Sequence, residues 1–169
     1  MSLPKCPRLT TLLLSECNMV SIPEDFFKHM HGLRVLDLCR NPVKSFLHSL
    51  LMCPRLTTLL LSDCGIESIL EGFFEHMDGL EVLDLSQNPI KSLPHFLSKC
   101  PMLTTLLLFC CKVVNIPEGF FDYMDGLKIL HISGNPIKSL PHSLSNLKNL
   151  TSLFARCNYL ENVPSLSNL

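Results

Sequence analysis

The sequence CPRLTTLLLS at residues 6–15 recurs letter for letter at residues 53–62, and a near copy, CPMLTTLLLF, follows at residues 100–109. The copies are therefore spaced 47 residues apart. A fixed period of this length is typical of a chain that stacks similar structural units. An enzyme rarely needs three copies of one site in 169 residues, so the repeat decides the fold before any single motif is considered.

A second motif lies midway between these copies. LRVLDLCRNPVKSF begins at Leu33, LEVLDLSQNPIKSL at Leu80 and LKILHISGNPIKSL at Leu127. Every start fits L-x-x-L-x-L-x-x-(N/C)-x-(L/V/I/M), the leucine-rich-repeat pattern. The sequence therefore predicts a single leucine-rich-repeat domain over residues 1–169 with about seven units, which start at Leu9, Leu33, Leu56, Leu80, Leu103, Leu127 and Leu150.

The pattern predicts an α/β solenoid. In L-x-L the side chains alternate across a strand, so the leucines enter the core and the x residues face outward. One unit cannot bury its apolar face alone, so the units stack into a horseshoe arc with a parallel β-sheet on the concave side and short helices and turns on the convex side. Pro23 suits a first helical turn, and Phe26, Phe27 and Met30 sit at helical spacing. We expect short helices behind such odd units and turns behind the even units, which carry Asn-Pro.

The turn after each strand needs a polar side chain. It leaves backbone groups without sheet partners, and a buried side chain must satisfy them. Asn offers donors and an acceptor, whereas a Cys thiol is a weaker small substitute. We expect Asn88→Ala to cost about 1–3 kcal/mol and the solvent-facing Asp84→Ala under about 0.5 kcal/mol. The predicted structural ladder is Cys17, Asn41, Cys64, Asn88, Cys111, Asn135 and Asn158.

Composition and charge argue against several protein classes. A net charge of −1 without a basic run argues against nucleic-acid binding. A membrane helix needs ~20 mostly apolar residues, and the stretch Cys100 to Cys111 is too short, so no membrane insertion is expected. Pro4 and Cys6 stand where a signal peptide would have unbroken apolar residues, which predicts a cytoplasmic location.

The cysteines and histidines also follow the period. Residues 47 apart in sequence lie about 10 Å apart in the stack, beyond the ~7 Å between Cα atoms that a disulfide allows. We therefore expect all nine cysteines to be reduced. His48, His95 and His142 recur every 47 residues and are interpreted as surface side chains rather than metal ligands.

His131 replaces the Asp of the LDL motif (Asp37 and Asp84) on the outward face. A histidine and two carboxylates could suggest acid–base catalysis, but a spacing of about 10 Å on an open sheet disfavours it. The chain has no Gly-Lys pair and hence no phosphate-binding loop. The sequence predicts no catalytic, cofactor or metal site, so the chain is not expected to be an enzyme.

The outward positions vary in charge and size while the core positions barely change, as on a binding surface. Leu107, Phe109 and Phe154 would form an exposed apolar area bordered by His131 and Arg156, and such side chains are typical interaction anchors. The competing interpretation is that exposed leucines are neutral filler. The predicted partner-binding residues are Leu13, Glu16, Asp37, Arg40, Leu60, Asp63, Asp84, Gln87, Leu107, Phe109, His131, Phe154 and Arg156.

The alternation of CPxLTTLLL, IPEGFF and NPIKSLP, followed by SLSNLKNLTSL, resembles the repeat region of plant disease-resistance proteins. These are intracellular nucleotide-binding leucine-rich-repeat receptors, and the coiled-coil subclass is the most similar. The resemblance covers about Leu3 to Leu169. It implies a non-catalytic recognition module of an innate immune receptor.

The implied partner is a pathogen effector, a guarded host protein or the receptor's own nucleotide-binding module, bound through the concave face. The coiled-coil and nucleotide-binding modules of that family are not in this sequence, and no capping unit is visible at either end. The alternative is a stand-alone intracellular repeat protein that acts as a scaffold or an enzyme regulator.

Overall fold

The computed structural model describes residues 6–42, 50, 52–69, 72–74, 76–93, 97 and 100–165. Seven parallel strands form one sheet in sequence order, and each pairs with the next. This confirms the predicted parallel-stranded solenoid. The strands are β1 (Thr11–Leu13), β2 (Val35–Asp37), β3 (Thr58–Leu60), β4 (Val82–Asp84), β5 (Thr105–Leu107), β6 (Ile129–His131) and β7 (Ser152–Phe154).

The register of the sheet stacks equivalent residues of successive units. Leu12 lies opposite Leu36, and Leu36 lies opposite Leu59. Each strand is three residues long, so its middle side chain enters the core and its two neighbours face outward. Leu36 and Leu59 are fully buried. Since burying a leucine contributes about 1.5–3 kcal/mol, this row of leucines is a large part of the force that holds the units together.

The segments behind the sheet differ in one respect from the prediction. Residues 24–29 and 118–123, in the odd units, form consecutive turns, and the 3₁₀ helix His142–Asn146 lies behind an even unit. The predicted placement of helices was therefore wrong in these units. In the turns, the N–H of Phe120 donates to the carbonyl of Pro117 and that of Met124 donates to Phe121, which are three-residue rather than four-residue spacings. Gly119, with φ at +76°, interrupts a helical path.

The aromatic side chains of these turns nevertheless fill the core. Phe27, Phe74, Phe120 and Phe121 are almost completely buried. The rings of Phe120 and Phe121 meet edge to face with centroids 5.1 Å apart. The core therefore needs the periodic spacing of the phenylalanines, and a chain of tight turns provides this spacing as well as a helix does.

Asn88 shows how the ladder joins neighbouring units. Its side-chain Nδ2 donates to the carbonyls of Leu85 in its own unit, at 2.8 Å, and Leu61 in the preceding unit, at 2.7 Å. Its Oδ1 accepts the N–H groups of Cys64 at 3.0 Å and Ile66 at 2.9 Å, both in the preceding unit. One buried amide thus satisfies backbone groups on both sides of a unit boundary.

Of the bonds to the preceding unit, a buried cysteine at the ladder position makes only the donor bond. The Sγ of Cys111 donates to the carbonyl of Leu85 in the preceding unit, at 3.3 Å, and the Sγ of Cys64 donates to Leu38 at 3.1 Å. Cys17, in the first unit, is exposed, and its Sγ bonds only to Ser15 among the described residues. The further asparagines Asn41, Asn135 and Asn158 repeat the bonds of Asn88 to their own and the preceding unit.

The thiol has no counterpart of the asparagine Oδ1, which accepts N–H groups of the preceding unit. Ile137 donates its N–H to the Oδ1 of Asn158, at 3.3 Å. Ile90 is the equivalent residue two units earlier, where the next unit has Cys111 at the ladder position. Its N–H donates instead to the carbonyl of Asn88, at 2.8 Å. This bond closes a three-residue turn around Pro89, whose ring holds φ near the value that the turn requires. The turn around Pro89 thus satisfies an N–H group that Cys111 of the next unit does not accept.

The residue before each ladder position has a left-handed backbone. Gly134 has a φ of 72°, which costs glycine little. The other six units place Glu16, Arg40, Asp63, Gln87, Cys110 and Cys157 there with φ between 52° and 59°. A non-glycine residue in this region costs about 1–2 kcal/mol, so the ladder bonds and the stacked strands must hold the turn in place.

We expect Asn88→Ala to destabilise the protein by about 3 kcal/mol, because it leaves buried N–H and carbonyl groups of two units unsatisfied. Cys111→Ala removes one weak donor and should cost about 1 kcal/mol. Urea unfolding followed by circular dichroism measures both. Equal losses of stability in the two variants would contradict the two-sided role assigned to the asparagine.

Gly134→Ala should cost about 1–2 kcal/mol. The new methyl group would meet the left-handed penalty and would lie 2.9 Å from the Sγ of Cys110. Gln87→Gly, at the same position of another unit, should stay within about 0.5 kcal/mol of the wild type, because relief of strain offsets the greater freedom of the unfolded chain. Thermal unfolding of both variants tests this, and adding Cys110→Ala to Gly134→Ala should recover part of the loss.

Candidate functional site: the concave face

The concave face consists of the outward side chains of the strands and of the second and third residues after each strand's end. One row crosses all seven strands in register, and its members at the two ends, Leu13 and Phe154, are 63% and 45% exposed. The members between them are half-buried, because a neighbour flanks them on each side. This register row is Leu13, Asp37, Leu60, Asp84, Leu107, His131 and Phe154.

Three aromatic rings form a continuous row at the C-terminal end of this face. The rings of Phe109 and His131 stack with centroids 5.0 Å apart and an interplanar angle of 28°. His131 then meets Phe154 at 5.0 Å and 48°. Leu107 lies opposite His131 in the register. The structure thus places the three residues of the predicted apolar area, Leu107, Phe109 and Phe154, next to His131. We call Phe109, His131 and Phe154 the aromatic row.

Two serines that the sequence did not single out bind backbone N–H groups at the end of the concave face, one of them that of Phe109. Ser86 lies at an outward position but is fully buried, and its Oγ accepts the N–H of Phe109 at 3.3 Å. Ser133 accepts the N–H of Arg156 in the same way, at 3.1 Å. The only signal for them in the sequence is that serine recurs two residues after the strand. Arg156 itself is exposed and makes no ion pair with a described residue.

The two aspartates of the LDL motif bond to their own turns. The Oδ1 of Asp37 accepts the N–H of Cys39, and the Oδ1 of Asp84 accepts the N–H of Ser86, both at 2.9 Å. Asp84→Ala should therefore cost about 1 kcal/mol rather than the smaller loss expected from its sequence position.

The remaining predicted residues are exposed on the left-handed turn. Glu16 and Arg40 form an ion pair between neighbouring units. Both side chains are more than 60% exposed, so the pair contributes little stability. Asp63 and Gln87 occupy the same position in the next two units and are also exposed. Two of the predicted partner-binding residues thus pair with each other, whereas Asp63 has no cation paired with it among the described side chains.

Burial between its neighbours lowers the pKa of His131 below the usual 6.5, and the charge of Asp84 opposes part of this shift. The imidazole is therefore neutral at neutral pH, and the aromatic row carries no charge. A single histidine with a lowered pKa, without a second group in contact that could exchange a proton, does not form a catalytic pair.

The thiols are free in the structure. Burial raises the pKa of Cys53 to about 12 and that of Cys100 to about 11, so these groups remain protonated and unreactive. Cys110 is exposed on the turn whereas the adjacent Cys111 is buried. No cluster of three metal-ligating side chains occurs among the described residues.

His142, in the 3₁₀ helix behind the sheet, does not join the concave face. His142 is exposed and lies 3.4 Å from the carboxylate of Glu118, while His48 and His95 lie outside the described residues. An open cavity of about 380 Å³ lies beside the sheet, lined by Glu67, Ser68, Pro89, Lys91 and Lys112. In the described part of the chain, no helix has the length and apolarity to cross a membrane.

The leucine-rich-repeat family profile matches residues 7–66, 54–113 and 101–160. The chain belongs to the leucine-rich-repeat family. The three matches begin 47 residues apart, at 7, 54 and 101, so they follow the two-unit period. No curated protein matches this chain in sequence.

Solved leucine-rich-repeat structures share this fold. A leucine-rich-repeat protein of Leptospira interrogans superimposes with a TM-score of 0.89 at 26% identity over 99% of this chain. The ectodomain of the Arabidopsis thaliana receptor kinase GASSHO1/SCHENGEN3, solved in complex with CASPARIAN STRIP INTEGRITY FACTOR 2, gives 0.76 at 25% identity over 89%. Internalin C2 of Listeria monocytogenes gives 0.77 at 22% identity over 95% of this chain and 68% of its own, a likeness of fold alone.

The chain is shorter than these relatives. It spans 44% of the Leptospira protein and 18% of the Arabidopsis ectodomain. The leucine-rich-repeat solenoid is typically a non-catalytic scaffold for protein–protein interaction, and its extended surface suits that role.

We expect acid to destabilise the protein partly through His131. The unfolded chain binds a proton near the usual pKa of 6.5 and the folded chain only at lower pH, so stability falls as pH drops below that value. His131→Phe keeps the aromatic row without the titration. Urea unfolding midpoints would be measured at about pH 7.5 and about pH 5. The stability of the variant relative to that of the wild type should be higher at the lower pH. A constant difference between the two chains at both pH values would contradict this assignment.

Proposed function

We propose that this chain is the protein-recognition module of a plant disease-resistance receptor and binds its partner through the concave face. The partner is a pathogen effector, a guarded host protein or the receptor's own nucleotide-binding module, and the compartment is the cytoplasm. The alternation of two repeat motifs, CPxLTTLLL and NPIKSLP, supports the plant assignment. Recognition by the concave face is the part of the proposal that the geometry supports best.

The aromatic row is the observation that carries this proposal. Phe109, His131 and Phe154 stack across the ends of three neighbouring units, although the equivalent positions of other units hold serine, cysteine, aspartate or leucine. Core packing does not require these rings, because the other units stack without them. An exposed, preorganised aromatic cluster is what a protein interface uses for its central contacts.

A stand-alone scaffold or enzyme regulator is the second candidate. The likeness to a bacterial leucine-rich-repeat protein over 99% of this chain favours it, because the fold serves proteins well outside plants. Both candidates use the concave face and differ in whether the chain acts inside a larger receptor.

We expect Phe109→Ala and Phe154→Ala to weaken capture of the partner about thirtyfold each, the equivalent of about 2 kcal/mol. The partner would be isolated with the wild-type chain from plant extract and then titrated against each variant by calorimetry. Thermal unfolding must show that each variant remains folded. In the intact receptor, loss of a contact with the nucleotide-binding module would appear instead as signalling without ligand.

Lys91→Ala is the matched control, because Lys91 is exposed beside the open cavity and away from the concave face. It should leave both capture and signalling unchanged. If Lys91→Ala abolishes capture while the two phenylalanine variants do not, recognition occurs at the side of the sheet and the proposal is wrong.

A further inference from the structure

The aromatic row lies next to a carboxylate in the same register row. Asp84 is opposite Leu107, Leu107 is opposite His131, and His131 is opposite Phe154. At ~4.8 Å per strand, Asp84 lies about 10 Å from His131 and about 14 Å from Phe154 along the row. The concave face therefore presents a negative charge and an aromatic surface within reach of one short segment of a partner.

The carboxylates on this face lack cationic partners. Asp37, Asp63 and Asp84 make no ion pair with any described residue, whereas Arg40 is occupied by Glu16. Asp84 is held in place by its bond to the N–H of Ser86, which leaves its other oxygen available. The carboxylate of Asp84 is thus held in place by its turn and has no cationic partner in the described part of the chain.

We infer that the concave face docks an extended protein segment that carries an arginine or lysine two to four residues from a large apolar side chain. The basic group pairs with Asp84, and the apolar group packs on Phe109 and Phe154. An extended chain advances about 3.3 Å per residue, so this spacing matches the distance from Asp84 to the aromatic row. The inference rests on the proposed recognition role of the concave face and adds the chemistry of the partner.

Charge complementarity selects this occupant over a nucleic acid. Exposed aromatic rings can stack on bases, but nucleic-acid surfaces also need cations for the phosphates. Here one exposed cation, Arg156, borders the rings, whereas Asp37, Asp63 and Asp84 place three carboxylates over the preceding units. A basic protein segment gains from these carboxylates, whereas a phosphate backbone is repelled.

A phage-displayed library of random peptides, panned on the full chain at neutral pH, tests the partner chemistry directly. Selected peptides should be enriched in arginine or lysine two to four positions from Phe, Trp, Tyr or Leu. One such peptide is then synthesised with arginine and with citrulline, which has nearly the same shape and no charge. The citrulline peptide should bind the wild type about tenfold more weakly, as for loss of one charge pair of about 1.4 kcal/mol.

The variant Asp84→Asn completes a double-mutant cycle. Asparagine keeps an oxygen for the N–H of Ser86, so the turn is preserved. This variant should lose about tenfold in affinity for the arginine peptide and nothing further for the citrulline peptide, because the two changes remove the same contact. Asp25→Asn, the same chemical change on an exposed turn behind the sheet, should leave both affinities unchanged.

The outcomes separate this inference from the proposed function. Selected peptides that depend on Phe109 and Phe154 but show no basic preference, or bind equally with citrulline, overturn the inference and leave recognition by the concave face intact. Peptides whose binding survives Phe109→Ala and Phe154→Ala overturn both. Equal losses in Asp84→Asn and Asp25→Asn would show a general effect of net charge and would also overturn the assigned contact.

Discussion

The two-sided hydrogen bonding of the ladder asparagines is the interaction on which the rest of the structure depends. Asn88 donates to carbonyls of two units and accepts from the N–H groups of one. Each strand is only three residues long, so its end leaves many backbone groups unpaired per residue of sheet. Without a buried amide at the turn, those backbone groups would be exposed to water or buried without hydrogen-bond partners. The leucine rows could then not pack into a closed core.

Asparagine and cysteine alternate at the ladder position through the first six units, in step with the two-unit period. A thiol donates to the preceding unit but does not accept its N–H groups, as the bonds of Cys111 show. In the unit before Cys111, Ile90 bonds within its own turn instead. Because this bond lies one unit away from Cys111, the hydrogen bonding of these two successive units is coupled.

A scaffold held by buried leucines and ladder amides leaves the outward positions free to vary. The left-handed turn residues illustrate this freedom, since glutamate, arginine, aspartate, glutamine, cysteine and glycine all occupy the same backbone conformation. Stacked neighbours impose that conformation, and the side chain is then available to solvent or to a partner. This separation of scaffold from surface allows aromatic rings to gather at one end of the face and carboxylates at its middle.

The sequence by itself determined the period, the seven strands, the direction of each leucine and the core phenylalanines, because the alternation of side chains along a strand is a local rule visible in the letters. The tertiary structure alone decided that Ser86 is buried beneath the outward face, that Asp84 bonds to its turn, and that Phe109, His131 and Phe154 stack into one row. It also decided that turns rather than helices carry the buried phenylalanines of the odd units. These features depend on side-chain conformations and on contacts between units 23 or 24 residues apart, and no local rule of spacing specifies them.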